Sequence, residues 1–480
     1  MGFLQRNIVY NVALSLSQVL FPLLVFPYVS RVIGPSGIGS VTFVDGLTQW
    51  FILVAALGIP IYGVREIAKA KDDLQRRSKV FSELFVLHIV AAAVLAVVFV
   101  SSFLLIDALR PFRPLFWIGT GILFASSCMI EWLFQGMNAF RYITVRTVIV
   151  RALVVALVFL CVRDPDDTLV YYGITLGGMV ANVLLNIWYA RKFIHYRLKG
   201  LDIRRHLRPM IVMFLISVVS GIYTLLDVTI LGLFTSEVDV GYYGAAMRLV
   251  KLVITVLVAV SAAIVPVLSF SFGSGRTEES FALLRKSFNL IVFIGVPAAV
   301  GLYIAAPNVI ALFAGPDFLP AVLALQILSP VVLLIGLNNI FGMQILNPTH
   351  NERFFLYAVL AGMVVSVTLN VVLIPAYQFL GTAMANLLAE AVVCLLLLAF
   401  VWRRVGFRPE WRSLGQAALA AMPMVVTVGL VRRLELPLVV ETCALVAAGM
   451  LVYVTIQYYI WRNPLVDDMF RLFTARIWKR

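Results

Sequence analysis

The stretch from Ile8 to Ile33, IVYNVALSLSQVLFPLLVFPYVSRVI, decides the class of this chain. It is longer than the ~20 predominantly apolar residues that carry an α-helix across a bilayer, and it holds no charge before Arg31. A second run follows from Ile38 to Val64, and others recur as far as Leu438 to Trp461. By apolar run length there are about fourteen. Composition agrees, with 62% of residues hydrophobic and 13% charged. The chain reads as an all-α polytopic membrane protein with about fourteen transmembrane helices.

The charges sort by gap. Even-numbered gaps carry the basic residues: Arg65, Lys69, Lys71, Arg76, Arg77 and Lys79 after span 2, then Arg191, Lys192, Arg197, Lys199, Arg204, Arg205 and Arg208 after span 6. More follow after spans 8 and 12 and in the tail from Arg462. Odd gaps are poor in Lys and Arg, and two are acidic, with Asp164, Asp166 and Asp167 in one and Glu237 and Asp239 in another. In a soluble chain a net charge of +14 would suggest a nucleic-acid partner. Here it follows the positive-inside rule, which places both termini in the cytoplasm and calls for no nucleic acid. The opening run is too long for a cleavable signal peptide, and no small-residue cleavage site follows it.

Other chemistries find no support. Cys128, Cys161, Cys394 and Cys443 lie far apart inside apolar runs and read as small packing residues. The four histidines lack metal-ligand spacing, and Gly34-Pro-Ser-Gly-Ile-Gly39 lacks the lysine of a phosphate loop. No cofactor is expected, and the chain is not expected to be an enzyme.

A six-helix unit occurs twice. Gly37-Ile-Gly39-Ser-Val resembles Asp239-Val-Gly241-Tyr-Tyr, Gln135-Gly-Met-Asn138 resembles Gln344-Ile-Leu-Asn347, and Gly173 corresponds to Gly381. The offsets are 202, 209 and 208 residues. An even number of spans gives both units the same orientation, hence a pseudo-two-fold axis along the membrane normal, as in two-lobed alternating-access transporters. The expected organisation is an N-terminal lobe over 1–200, a C-terminal lobe over 201–405, and two added helices with a tail over 406–480.

Polar stripes then mark a cavity. Helix 1 carries Asn7, Asn11, Ser15 and Gln18 at helical period. Helix 2 adds Thr42, Asp45 and Gln49; helix 7 adds Ser217, Ser220, Thr224 and Asp227; helix 8 adds Arg248, Lys251 and Thr255. Hydroxyls alone would suit interhelical bonding, but ionisable residues at depth point to function. Asp227 and Arg248 flank one turn at similar depth and are candidates to pair, with Asp45 facing Arg248 from the other lobe. Arg151 sits two to three turns into helix 5, either lining the cavity or snorkelling. Glu131 is expected to pair with Arg141 or Arg146. Glu390 and Glu441 read as partnered packing residues, with proton carriage the alternative. Pro22, Pro27, Pro297 and Pro307 bend helices 1 and 9, and Gly173-Ile-Thr-Leu-Gly177 fits a close-packing helix motif.

Specific motifs carry a resemblance. Ser30-Arg31-Val-Ile-Gly34-Pro35-Ser-Gly-Ile-Gly39, then Leu57-Gly58 and Arg65-Glu66-Ile-Ala-Lys69, resemble the first helices of bacterial polysaccharide (O-antigen/capsule-type) repeat-unit flippases. Glu131-Trp-Leu-Phe-Gln135-Gly136, Gly241-Tyr-Tyr-Gly-Ala-Ala-Met-Arg248 and Asn370-Val-Val-Leu-Ile-Pro375 are similar as well. These flippases belong to the multidrug/oligosaccharidyl-lipid/polysaccharide exporter superfamily. The resemblance implies transfer of an undecaprenyl-pyrophosphate-linked oligosaccharide between leaflets of the bacterial inner membrane, with membrane lipids and a polysaccharide polymerase as further partners. The context of Arg248 resembles lipid II flippases, where the matching arginine lines a cationic cavity. Helix 1 lacks the inner basic residues of those proteins, which counts against lipid II as substrate.

On this reading Arg248, Lys251, Arg31 and Arg151 neutralise phosphate, a guanidinium suiting phosphate oxygens. Asn11, Gln18 and Gln49 contact sugar hydroxyls, and Asp45 or Asp227 couples an ion. Two alternatives stand beside it. An ion-coupled multidrug exporter of the same superfamily would call for an acidic, aromatic cavity. A polysaccharide polymerase or ligase would call for catalytic residues on a sizeable outer loop.

Overall fold

The computed structural model describes residues 3–196 and 200–466, apart from some side chains in the first half of helix α1 and in α8 and α9. Every long element is helical. The first, α1 (Phe3–Ala55), has 53 residues. As one straight helix it would extend ~80 Å, far beyond a hydrocarbon core of ~30 Å. It is two helices broken at Gly34, whose φ of 67° is open to glycine and costly for other residues. The same device recurs in α13 (Glu352–Arg404), which breaks at Gln378 with φ 49°.

Between these lie α2 (Ile59–Lys69), α3 (Leu74–Leu105), α4 (Arg113–Ser127), α5 (Glu131–Gly136), α6 (Phe140–Cys161), α7 (Thr168–Ala190), α8 (Arg204–Phe234), α9 (Glu237–Gly273), α10 (Thr277–Phe313), α11 (Ala321–Leu328) and α12 (Val331–Asn339). The chain closes with α14 (Trp411–Ala421), α15 (Met424–Arg432) and α16 (Leu438–Tyr459). Among the described residues eleven helical stretches are long and apolar enough to cross a membrane, two of them double-length. With those two divided and α8 added, the expected fourteen spans are present.

Several spans are jointed. The second span breaks at Leu57 and Gly58, both at positive φ, before resuming as α2. The fourth is α4 and α5 in tandem, and the tenth is α11, α12 and a π-helix over Ile340–Leu346. Pro297 and Pro307 are carried inside an unbroken α10. The α3 start is capped by Asp73, whose carboxylate accepts from the Arg76 amide at 2.9 Å. Large side chains such as Leu24, Val97, Leu105, Leu395 and Leu451 are exposed, as expected for surfaces solvated by lipid.

The chain forms two compact units, Met1–Gly241 and Tyr242–Arg480. In the first, alternate gaps gather at opposite ends. At one end the Tyr28 hydroxyl donates to the Val162 carbonyl at 2.7 Å, Phe43 packs edge-on to Phe112, and the Ser36 hydroxyl donates to Glu237 at 3.3 Å. This is the end of the odd gaps. At the other, Arg77 Nε donates to the Phe193 carbonyl at 2.7 Å and the His195 amide to Ser78 at 3.0 Å. Ile59, Tyr62, Phe81, Leu84, Trp132 and Met210 form a buried core at this basic, even-gap end. In the second unit Tyr242 meets Phe318 and Phe379, while Phe281 meets Phe407.

Candidate functional site

A close backbone approach in the first unit joins the turn after Gly34 to the start of α9. A Cβ placed on Gly39 would overlap the Glu237 carbonyl oxygen and stand 2.9 Å from the Gly241 nitrogen. One placed on Gly241 would overlap the Pro35 carbonyl. Further along, Gly232 of α8 lies against the Phe43 ring, and Gly46 faces the Val228 side chain. Four glycines thus let the second half of α1 close on α8 and the start of α9. Trp50 extends the contact inward, its Nε1 donating to Thr229 Oγ1 at 3.0 Å.

Inward of this closure lie the polar residues read from helix 2. Asp45 is half-buried and accepts from Gln49 Nε2 at 3.5 Å and from the Tyr172 hydroxyl at 3.4 Å. Asp227 on α8 is buried. Arg31 is exposed near the Gly34 break and donates to the Pro27 carbonyl. Arg151 is half-buried, its Nη1 donating to Ser17 Oγ at 2.9 Å, which ties α6 to the first helix. The structure therefore joins Asp45 with Gln49, and Arg151 with the helix that carries Asn11 and Gln18. The side chains of Asn11 and Gln18 lie outside the described residues, as do those of Asn7, Ser15, Ser217, Ser220 and Thr224. In the second unit Arg248 is half-buried and Lys251 exposed on α9, where Thr255 donates to the Lys251 carbonyl at 2.8 Å.

Two ionic clusters lie toward the even end. Arg146 donates to Glu131 and Asn186 and sits almost wholly buried, so Arg146 is the described partner of Glu131. Glu83, with no exposed surface, accepts from Arg205, from His206 Nε2 at 2.9 Å and from the Asp202 amide at 2.7 Å. The Tyr62 hydroxyl meets His206 Nδ1 at 2.9 Å. This cluster pins the segment entering α8 to α2 and α3.

The second unit has its own buried polar ladder. Ser287 donates to Gln344 Oε1 at 2.7 Å, and Gln344 Nε2 donates to Ser261 at 2.7 Å. Asn338 Nδ2 donates to Glu390 at 2.7 Å, and Arg432 lies 3.9 Å from Glu441. An apolar cavity of about 410 Å³ lies among Pro297, Gly301, Met424, Leu445, Gly449 and Tyr453. No group of three or more His, Cys, Asp or Glu side chains able to hold a metal occurs among the described residues.

A sequence model described as "Polysaccharide biosynthesis protein" matches residues 4–272. The chain belongs to that family. The model of the lipid II flippase MurJ also matches, over residues 146–447. Its relatives include a "Putative O-antigen transporter" of Escherichia coli, 26% identical, with 83% of this chain and 96% of the relative covered. A "Probable low-salt glycan biosynthesis flippase" of Haloferax volcanii is 25% identical over 53% of this chain and 56% of its own length. Among solved structures, an inward closed conformation of the lipid II flippase MurJ superposes with a TM-score of 0.75 at 15% identity, covering 95% of this chain and all (100%) of the other. At that identity the likeness is one of fold. The resemblance read from the helix motifs holds.

Sequence reading missed some members of the polar interior of this polysaccharide biosynthesis protein. Tyr172 is buried beneath Asp45; a tyrosine in an apolar run needs a partner for its hydroxyl, which was the available signal. Ser17 falls between the stripe positions on helix 1 yet holds Arg151. A Cβ on Gly173 or Gly177 would meet no other element among the described residues, whereas one on Gly178 would crowd the Val154 side chain.

Proposed function

We propose that the protein moves an undecaprenyl-pyrophosphate-linked oligosaccharide from the inner to the outer leaflet of the bacterial inner membrane by alternating access. Membership of the polysaccharide biosynthesis family supports this reading, as do the transporter and flippase names of its relatives. A multi-pass helical chain whose described residues hold no large loop at the odd-gap end suits transport better than polymerisation. The even-gap end is assigned to the cytoplasm on its basic residues, and both termini go with it. The lobes are assigned as 1–200 and 201–405, with 406–480 added.

The observation that carries the mechanism is the glycine closure between residues 35–46 and 228–241. It seals backbone against backbone at the odd-gap end, as an outer gate must while substrate loads from within. In this account Arg248, Lys251, Arg151 and Arg31 neutralise the pyrophosphate. Asn11, Gln18 and Gln49 take sugar hydroxyls, and Asp45 and Asp227 are the coupling carboxylates. The apolar cavity among α10, α15 and α16 suits a hydrocarbon chain. A polysaccharide polymerase receives the product. Arg248→Ala tests the site: surface polymer is expected to fall by about tenfold or more, the cost of one charge-assisted phosphate contact, at unchanged membrane abundance. Normal polymer would remove Arg248 from the site.

A further inference from the structure

Beside the glycine closure, at the odd-gap end of the first unit, lies a cavity of about 520 Å³ to which the transport reading above gives no role. Its volume falls in the range of small-molecule sites. Ser36, Ser40 and Thr168 contribute hydroxyls, Asp166 and Glu237 contribute carboxylates, and Phe112 contributes an aromatic wall. No basic side chain lines it.

That lining selects a ligand class. Two carboxylates in a lining without a basic residue disfavour phosphate, so the lining suits the saccharide rather than the pyrophosphate end of a lipid-linked substrate. Hydroxyl groups of a neutral sugar donate to carboxylates in charge-assisted hydrogen bonds, and serine and threonine hydroxyls donate or accept as required. The aromatic and proline walls suit the apolar face of a pyranose ring and offer nothing to a hydrated metal ion. The walls are also held in place. The Asp167 carboxylate accepts from the Arg163 and Asp164 amides at 2.8 and 2.9 Å, and Arg113 Nε donates to the Phe103 carbonyl at 3.1 Å. A preformed pocket binds without ordering cost.

Position gives the pocket a role. Glu237 lines the cavity and its carbonyl lies against Gly39, while Ser36, which also lines it, donates to the Glu237 carboxylate. We propose that this pocket is a saccharide-binding site on the outer side of the gate, taking a sugar of the translocated oligosaccharide as it leaves. A sugar seated there competes with Ser36 for Glu237 and so acts directly on the closure. The assignment rests on the transport reading above.

The test uses the purified full chain in nanodiscs and saturation-transfer difference NMR with free glucose, galactose, rhamnose and N-acetylglucosamine. At least one sugar is expected to show transfer. Asp166→Asn combined with Glu237→Gln is expected to weaken its binding by about tenfold, as for loss of a charge-assisted hydrogen bond. Asp166→Asn alone, on an exposed loop, repeats the test should the double variant not fold. Absence of transfer from all four sugars, or transfer unchanged in the variants, overturns the site. So does a thermal shift with calcium chloride that the variants abolish while no sugar binds. Wild-type protein that restores surface polymer to cells lacking it, yet binds none of the sugars, contradicts the pocket alone. Wild-type protein that restores no polymer contradicts the transport reading.

Discussion

Gly39 and Gly241, 202 residues apart, lie within one closure in which neither has room for a side chain: Gly39 abuts the Glu237 carbonyl and Gly241 the Pro35 carbonyl. They stand at the places that the sequence similarity of Gly37-Ile-Gly39 and Asp239-Val-Gly241 sets opposite each other. Backbones approach this closely only where Cβ is missing.

Gly39→Ala is expected to wedge the closure. Overpacking costs about 1–3 kcal/mol, enough to shift a two-state equilibrium roughly 5- to 150-fold. In a cysteine-free background, Ser40→Cys should then react faster with a membrane-impermeant maleimide added outside. Gly241→Ala should do the same. Unchanged labelling in both would mean that this contact is not the gate.

Removing Glu83 should destabilise the fold. The carboxylate is fully buried and accepts from Arg205, His206 and the Asp202 amide. Glu83→Ala leaves those donors without their acceptor, at about 3–5 kcal/mol for a broken buried pair. The melting temperature in detergent should fall by several degrees. A melting curve like that of the wild type would make the cluster incidental.

Arg146 and Arg151 should separate stability from transport. Arg146 is held by Glu131 and Asn186, and a lysine cannot reproduce that forked contact; Arg146→Lys is expected to lower the melting temperature. Arg151 is half-buried and donates to the Ser17 hydroxyl at 2.9 Å, so Arg151→Gln should leave melting nearly unchanged while surface polymer falls. The reverse pattern would exchange their roles.

Asp167 supplies a pH-dependent element. Two backbone amides hold its carboxyl below the ordinary aspartate range. Because the folded pKa lies below the unfolded one, its contribution is complete above the unfolded value and fades as pH falls through the folded value. Exchange of the Arg163 and Asp164 amides should accelerate, relative to neighbouring amides, only at strongly acidic pH. Asp167→Asn should remove that dependence.

The spans were legible because length and apolarity suffice to mark them, and the gap left between Ile33 and Ile38 holds the break at Gly34. The joints inside spans were not. Gly58 with Pro60, and Ser126-Ser127 with Glu131, stand at these joints, but such residues are also tolerated inside unbroken spans, so they do not by themselves mark a break. The stripe on helix 2 set Asp45 beside Gln49, and the two are hydrogen-bonded one helical turn apart. Tyr172 and the Glu83 partners come from 127 and about 120 residues away, and single-sequence periodicity holds no information at that range. The acidic odd gaps were read as marks of orientation; that Asp166 and Glu237 share a cavity emerged from the fold.

The most direct test of the central claim is the leaflet in which the lipid-linked repeat unit resides in cells lacking this protein. The account predicts that the unit accumulates on the cytoplasmic face and that surface polymer disappears, both reversed by the wild-type gene. A unit that reaches the outer face at the normal rate without the protein would contradict it.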